Sequence, residues 1–122
     1  KFDIHEPPRD FSPYPGLTLR DMGDLYLAAD EQVTVRVTPE RGNDVVRKPW
    51  GFYLTNSLNG TLRAQGLKTA LARGAGGRLY VLLVDEERLP EFGAYLAQYG
   101  LRLERWLDEW DEPGRQAPPD QG

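Results

Sequence analysis

The sequence predicts an α+β fold: a mainly antiparallel sheet built from hairpins, with one principal C-terminal helix packed on it. Three observations carry that expectation. Val33, Val35 and Val37 alternate with Thr34, Arg36 and Thr38, the period-two pattern of a half-buried strand. Leu67 to Arg73 and Arg78 to Val84 flank the turn-forming run Gly74-Ala-Gly-Gly77, which reads as a hairpin. Asp85-Glu-Glu87 then precedes Leu89, Phe92, Leu96 and Tyr99, whose three-four spacing makes one face of a helix.

The chain opens on a proline-dense stretch. Pro7, Pro8, Pro13 and Pro15 fall within residues 1–16, where fixed φ and missing amide donors oppose both helix and central strand. This stretch is expected as an irregular arm, with Phe2, Ile4, Phe11 and Tyr14 available to dock it. Residues 17–110 are expected to form a single α+β domain. Within it, Leu25 to Ala28 would pair with the Val33–Val37 strand through Ala29-Asp30-Glu31. Pro39-Glu-Arg-Gly-Asn43 would turn the chain into a short strand over Asp44 to Lys48.

Gly51 to Leu58, if extended, puts Trp50, Phe52, Leu54 and Leu58 on one face. Asn59-Gly60 follows as a hairpin signal, because both residues tolerate positive φ. The second arm of the later hairpin, Leu79-Tyr-Val-Leu-Leu-Val84, is continuously apolar and is expected as a central strand covered on both faces.

Carboxylates at Asp85, Glu86 and Glu87 suit the positive end of the helix, and Pro90 is tolerable only in its first turn. Gly100 leaves two outcomes open. As a left-handed glycine it ends the helix and frees Leu101 to Leu107 for a final strand. The apolar stripe also continues at Leu103, Trp106 and Trp110, which suits one longer helix. Residues 111–122, with Pro113, Pro118 and Pro119 and almost no apolar side chain, are expected as a flexible acidic and proline-rich tail.

Charge is segregated. Arg36 to Tyr80 carries eight basic residues against two acids, while the flanks carry seven against seventeen. The net charge of −4 thus hides a +6 centre. Inside that centre Arg47, Lys48, Tyr53, Asn56, Ser57 and Arg63 are the candidate ligand-binding residues. Arginine forks suit phosphate or carboxylate, an aromatic face suits a sugar ring, and small polar groups orient hydroxyls.

Each has a plainer role available. Strands expose charge to solvent or pair it internally, Trp50 and Phe52 suit the core, and Asn56, Ser57 and Asn59 suit a turn. The match of Asn59-Gly-Thr61 to a glycosylation sequon carries little weight alone. The acidic run Asp108-Glu-Trp-Asp-Glu112 suits either a solvated chain end or contact with a basic surface.

Catalytic constellations are thin. His5, the single histidine, lies in the proline-rich arm, and there is no cysteine. A Ser-His-Asp triad would need that arm folded over Ser57, and the usual nitrogen and sulfur metal ligands are missing. No metal and no cofactor is expected.

The leading expectation is a small non-catalytic binding or accessory domain. It would contact an anionic or carbohydrate-like small molecule, or an acidic protein surface, through the Arg47–Arg63 region. Two others stand beside it. One is an enzyme on a sugar or nucleotide-like substrate, with Tyr53 or Asp44 moving protons and Asn56 and Arg63 orienting. The other is a structural assembly subunit whose sheet edges carry contacts, including contacts to a second copy. Nucleic acid is disfavoured by the acidic chain. No run reaches the roughly 18 apolar residues of a membrane span, and the lack of cysteine fits a reducing compartment, so a cytoplasmic location is expected.

Overall fold

The computed structural model describes residues 1–110. The tail expected over 111–122 lies outside the described residues. The described residues divide into two compact units, Lys1–Val35 with Asp44–Leu54, and Arg36–Asn43 with residues 55–110. The architecture is α+β, with mostly antiparallel strands and one main helix. The stretch over residues 1–16, expected as an irregular arm, is instead mostly strand.

In the first unit, β1 (Phe2–Tyr14) and β2 (Leu17–Leu25) form a long two-stranded antiparallel ribbon. The prolines are accommodated because the ladder breaks where they fall. Register shifts separate Ile4 from Arg9, spanning Pro7 and Pro8, and Phe11 from Tyr14, spanning Pro13. A proline at a bulge withholds no ladder hydrogen bond. Gly23 has φ +140, and a Cβ there would collide with the Asp3 carbonyl oxygen, so the two strands approach closely only because that position has no side chain.

Leu25 is committed to Phe2 in this ribbon, so it does not supply the expected partner for the valine strand. That strand, β3 (Gln32–Thr38), neighbours β4 (Arg41–Lys48), which in turn pairs with β5 (Gly51–Tyr53). The turn between β3 and β4 is shorter than expected, since β4 begins at Arg41.

The extended run over Gly51 to Leu58 stops at Tyr53, and Asn59-Gly60 does not make a hairpin. Gly60 has φ −119, outside the positive-φ region that such a turn needs. Ser57 Oγ instead accepts the Thr61 amide at 2.8 Å and the Ser57 carbonyl accepts the Leu62 amide at 3.0 Å. These bonds satisfy amides at the start of the short helix α1 (Thr61–Ala64).

The second unit holds every buried residue of the described chain: Leu62, Leu67, Thr69, Ala70, Ala72, Val84 and Asp108. Four of these lie on β6 (Leu67–Arg73), the middle strand of the order β7-β6-β8. The expected hairpin to β7 (Leu79–Asp85) is present in register, Leu67 opposite Asp85 through Arg73 opposite Leu79. The expected burial is not. β7 is an edge strand, with Leu79, Val81 and Leu83 exposed. A continuous apolar run is blind to whether a second neighbour exists, and here the small side chains of Ala70 and Ala72 make β6 the strand that can be covered closely.

After β7, Asp85 accepts the Glu87 amide at 3.0 Å and starts a 3-10 turn, Glu86–Arg88, that leads into α2 (Leu89–Gln98). Pro90 sits in the first turn as the helix requires. Gly100 has φ +64; its amide points at the Ala97 carbonyl, 3.5 Å, and the Leu101 amide bonds the Leu96 carbonyl, 2.9 Å. This pair of bonds is the Schellman closure, and it settles the open alternative as helix then strand, β8 (Arg102–Trp106). The main helix is therefore followed by a strand and by the 3-10 turn Leu107–Glu109. It touches both β7 and β8, with the Phe92 and Trp106 rings 5.9 Å apart.

Candidate functional site

The six residues singled out from sequence fall into different units. Arg47, Lys48 and Tyr53 lie in the first, and Asn56, Ser57 and Arg63 in the second. In the first unit, β4 and β5 place Arg47 opposite Phe52, and the guanidinium sits 5.7 Å from that ring while donating to the Lys48 carbonyl. Lys48 Nζ is 2.5 Å from Asp30 Oδ1. Tyr53 is opposite Val46 and is exposed. Trp50 is 71% exposed and Phe52 53%, so neither belongs to the core that the alternation suggested.

In the second unit Ser57 Oγ accepts the Thr61 amide at the start of α1, the Asn56 amide donates to Asn43 Oδ1 at 3.1 Å, and Arg63 donates to the Asp108 carbonyl. Asp108 is the centre of this arrangement. It is 3% exposed, and its Oδ1 accepts the buried Thr69 amide at 2.9 Å. Its Oδ2 lies 3.3 Å from Lys68 Nζ and 3.9 Å from Arg63 Nη2. Lys68 also reaches Glu109 at 2.6 Å and stacks on Trp106. Burial pulls the Lys68 ammonium down, but the bonds to Glu109 and Asp108 outweigh it and leave its pKa raised. Asp108 is thus an internal anchor, and Trp110 packs against Arg105 at 3.8 Å. Neither is a loose acidic end, while Asp111 and Glu112 lie outside the described residues.

Other cations of the basic centre are spoken for in the same way. Arg41 bonds Asp85 at 3.0 Å and the Gln65 carbonyl at 3.0 Å. The Arg41 bond and then the Glu87 amide hold the Asp85 carboxyl below the usual carboxylate range. Arg73 pairs with Glu104, whose pKa is lowered first by Arg102 and then by Arg73. Arg36 donates to the Pro39 carbonyl at 3.0 Å. Five of the eight cations, Arg41, Lys48, Arg63, Lys68 and Arg73, have carboxylate partners. The +6 centre is internally neutralised to that extent.

For proton chemistry, Asp44 accepts the Thr34 hydroxyl at 2.6 Å. His5 Nε2 lies 3.6 Å from Asp21 and 3.9 Å from Asp24, inside the ribbon. Asp21 is itself held by Arg9 at 2.7 Å and the Gly23 amide at 3.1 Å, which keep its pKa low. Among the described residues no cluster of three or more His, Cys, Asp or Glu could hold a metal, and no helix is long and apolar enough to cross a membrane.

The feature that sequence reasoning missed is the ribbon's apolar face. Residues opposite one another in an antiparallel pair share a face. The pairs Phe2 with Leu25, Ile4 with Gly23, Phe11 with Leu19 and Tyr14 with Leu17 therefore line one side, interrupted by the Arg9–Asp21 ion pair. The other side carries Asp3 with Asp24, Asp10 with Arg20, and Met22. The first irregularity adds three residues to β1 and the second adds one, an odd number each time, so each flips the parity and Phe2 and Ile4, then Phe11, then Tyr14 all reach the same face although their spacing is not even. The Pro15-Gly16 dipeptide between them was the available turn signal.

Phe2, Ile4, Phe11, Tyr14, Leu19 and Leu25 are all exposed, and the first unit contains no buried residue. No protein-family model, curated protein or solved structure matches the chain.

Proposed function

We propose that this chain is a non-catalytic accessory module that works by docking the apolar face of its N-terminal ribbon on another protein. The single observation that carries the reading is that face: six exposed large apolar side chains aligned on one side of β1–β2, in a unit with no buried residue. An isolated two-stranded ribbon is marginal in water, and a contiguous exposed apolar patch marks an interaction surface. Covering side chains that are already half shielded is worth roughly 1 kcal/mol each, so several must act together to offset the cost of association.

The internal pairing of the basic centre favours this reading over an anion site built from Arg47, Lys48 and Arg63. The test is affinity capture from native extract with the tagged full chain, comparing wild type, Phe11→Ser with Leu19→Ser, and Thr18→Ala with Arg20→Ser on the polar side. A stoichiometric partner lost only with the first pair, at an unchanged melting temperature, is expected. Partner retention by the apolar-face variant rejects the docking role, and its unfolding shows that the face is core.

A second reading has its own support in the exposed Trp50, Phe52 and Tyr53 beside Arg47 and Lys48. That cluster has the makeup of a stacking platform for a polyhydroxy or anionic ligand. Tryptophan fluorescence titration with neutral sugars, sugar phosphates and inorganic phosphate, on wild type and Trp50→Ala, tests it. An unsaturable response from all three classes removes it.

A further inference from the structure

We infer that β7 is a self-pairing edge, through which two copies of this chain join their three-stranded sheets into one six-stranded sheet. The two edges of the sheet β7-β6-β8 differ in a way that selects β7. The β8 edge carries Arg102, Glu104 and Arg105 along a five-residue strand, charges of the kind that blunt an edge. β7 runs Leu79-Tyr-Val-Leu-Leu-Val84 without one charge or proline before Asp85. Among the described residues its only strand neighbour is β6, so its outer row of backbone donors and acceptors is open.

The occupant follows from symmetry and charge. A two-fold axis perpendicular to the sheet requires directly opposed residues to share a face, so a residue must sit opposite its own copy. With Leu82 on the axis, Tyr80 faces the second copy's Val84, and Val81 faces its Leu83. Arg78 then faces its Glu86, and the pair occurs twice.

Both ends of the strand are prepared for this register. Arg78 is extended, with φ −68 and ψ 136, and Glu86, although it opens the 3-10 turn, still bonds its amide to the Gly66 carbonyl at 2.9 Å, which holds it next to the end of the ladder. Arg78 and Glu86 make no ion pair among the described residues; Glu86 is felt by Arg41 only as part of the longer-range field.

The same register accounts for two further features. A groove of about 330 Å3 runs between α2 and β7, lined by Leu82, Val84, Phe92 and Tyr95 among others. The second copy's Leu82 enters it from the axis. On the opposite face Leu79, Val81 and Leu83, exposed by 53%, 57% and 37%, gain the matching residues of the second strand as cross-strand neighbours. Pairing of unlike charges at both rims and apolar residues between them is a self-complementary pattern. A foreign strand would have to reproduce it.

Sedimentation velocity of the full chain, from low micromolar to millimolar concentration, tests the inference. A monomer–dimer equilibrium is expected. Arg78→Glu, and separately Glu86→Arg, should each raise the dimer dissociation constant by about tenfold or more, since like charges then face each other twice. The double reversal Arg78→Glu with Glu86→Arg should return it to near the wild-type value. Val81→Lys, at an exposed position, should leave a folded monomer with unchanged circular dichroism. A wild-type monomer throughout, a dimer indifferent to either reversal, a double reversal that fails to restore, or an open-ended series of larger species would each overturn it.

Discussion

Asp108→Ala should be among the most damaging single substitutions in the second unit, and the structure sets its size. The carboxylate is 3% exposed and accepts the amide of Thr69, a residue that is itself fully buried. Truncation leaves that amide without a partner, at about 1–3 kcal/mol. It also takes one of two carboxylates from Lys68, which keeps Glu109 at 2.6 Å, so the ammonium is weakened rather than stranded. The Arg63 bond is to the backbone carbonyl of residue 108 and survives. The expected loss is about 3 kcal/mol, below the upper end for breaking a buried pair because Lys68 retains a partner.

Asp108→Asn keeps an acceptor for Thr69 and forfeits only the charge, and should cost about 1 kcal/mol. Urea titration followed by far-UV circular dichroism reads both as shifts in midpoint at constant slope. Equal losses for Ala and Asn would show that charge, not the Thr69 bond, is what matters. A loss below about 0.5 kcal/mol for Ala, the usual scale of surface substitutions, would refute the anchor altogether.

Further expectations can be checked on the same preparation. Arg63→Ala should destabilise by about 1 kcal/mol in the same titration, a charged hydrogen bond discounted for a side chain 43% exposed, whereas Lys48→Ala, whose partner Asp30 is 67% exposed, should be near neutral. Gly100→Ala should cost about 1 kcal/mol, because φ +64 ends the helix in a conformation that a Cβ resists; no change in melting temperature would contradict the Schellman closure.

Asp85, Glu104 and Asp21 have folded pKa values below their ordinary ones. Their contribution is therefore present above the unfolded values, 3.8 for aspartate and 4.5 for glutamate, and is lost as pH falls through the lower folded values. Lys68 is raised above 10.5, so its contribution holds below that pH and fades above it. Stability measured against pH should fall at both extremes, and Arg41→Ala should shallow the acid limb by returning Asp85 toward its ordinary value. An acid limb identical in wild type and Arg41→Ala would remove that pair from the account.

The local elements that sequence could reveal are those whose signal is short-range. The Asp85-Glu-Glu start, Pro90 in the first turn and the apolar stripe define α2. Alternating valines locate β3, although Val35 and Val37 are exposed rather than turned to a buried face because nothing among the described residues covers that side, and the glycine run defines the β6–β7 hairpin. Each rests on backbone geometry or on a period within one element. Gly100 offered a left-handed stop and an uninterrupted stripe offered continuation; the two carbonyl bonds to Leu96 and Ala97 decided between them.

What remained hidden depended on neighbours. Bulges at the prolines changed the parity of β1, so an apolar face assembled from residues 2, 4, 11 and 14 has no period to read. Asn59-Gly60 carried a hairpin signal that the Ser57 side chain overrode by bonding the Thr61 amide. The order β7-β6-β8 turned the most apolar segment into an edge and the alanine-bearing one into the middle.

The candidate residues Arg47, Lys48, Tyr53, Asn56, Ser57 and Arg63 are adjacent in sequence yet divide between two compact units. Composition alone determined that eight cations crowd the centre of the chain. Only the tertiary structure decided that five of them meet carboxylates, because charge adds along a sequence but pairs across space.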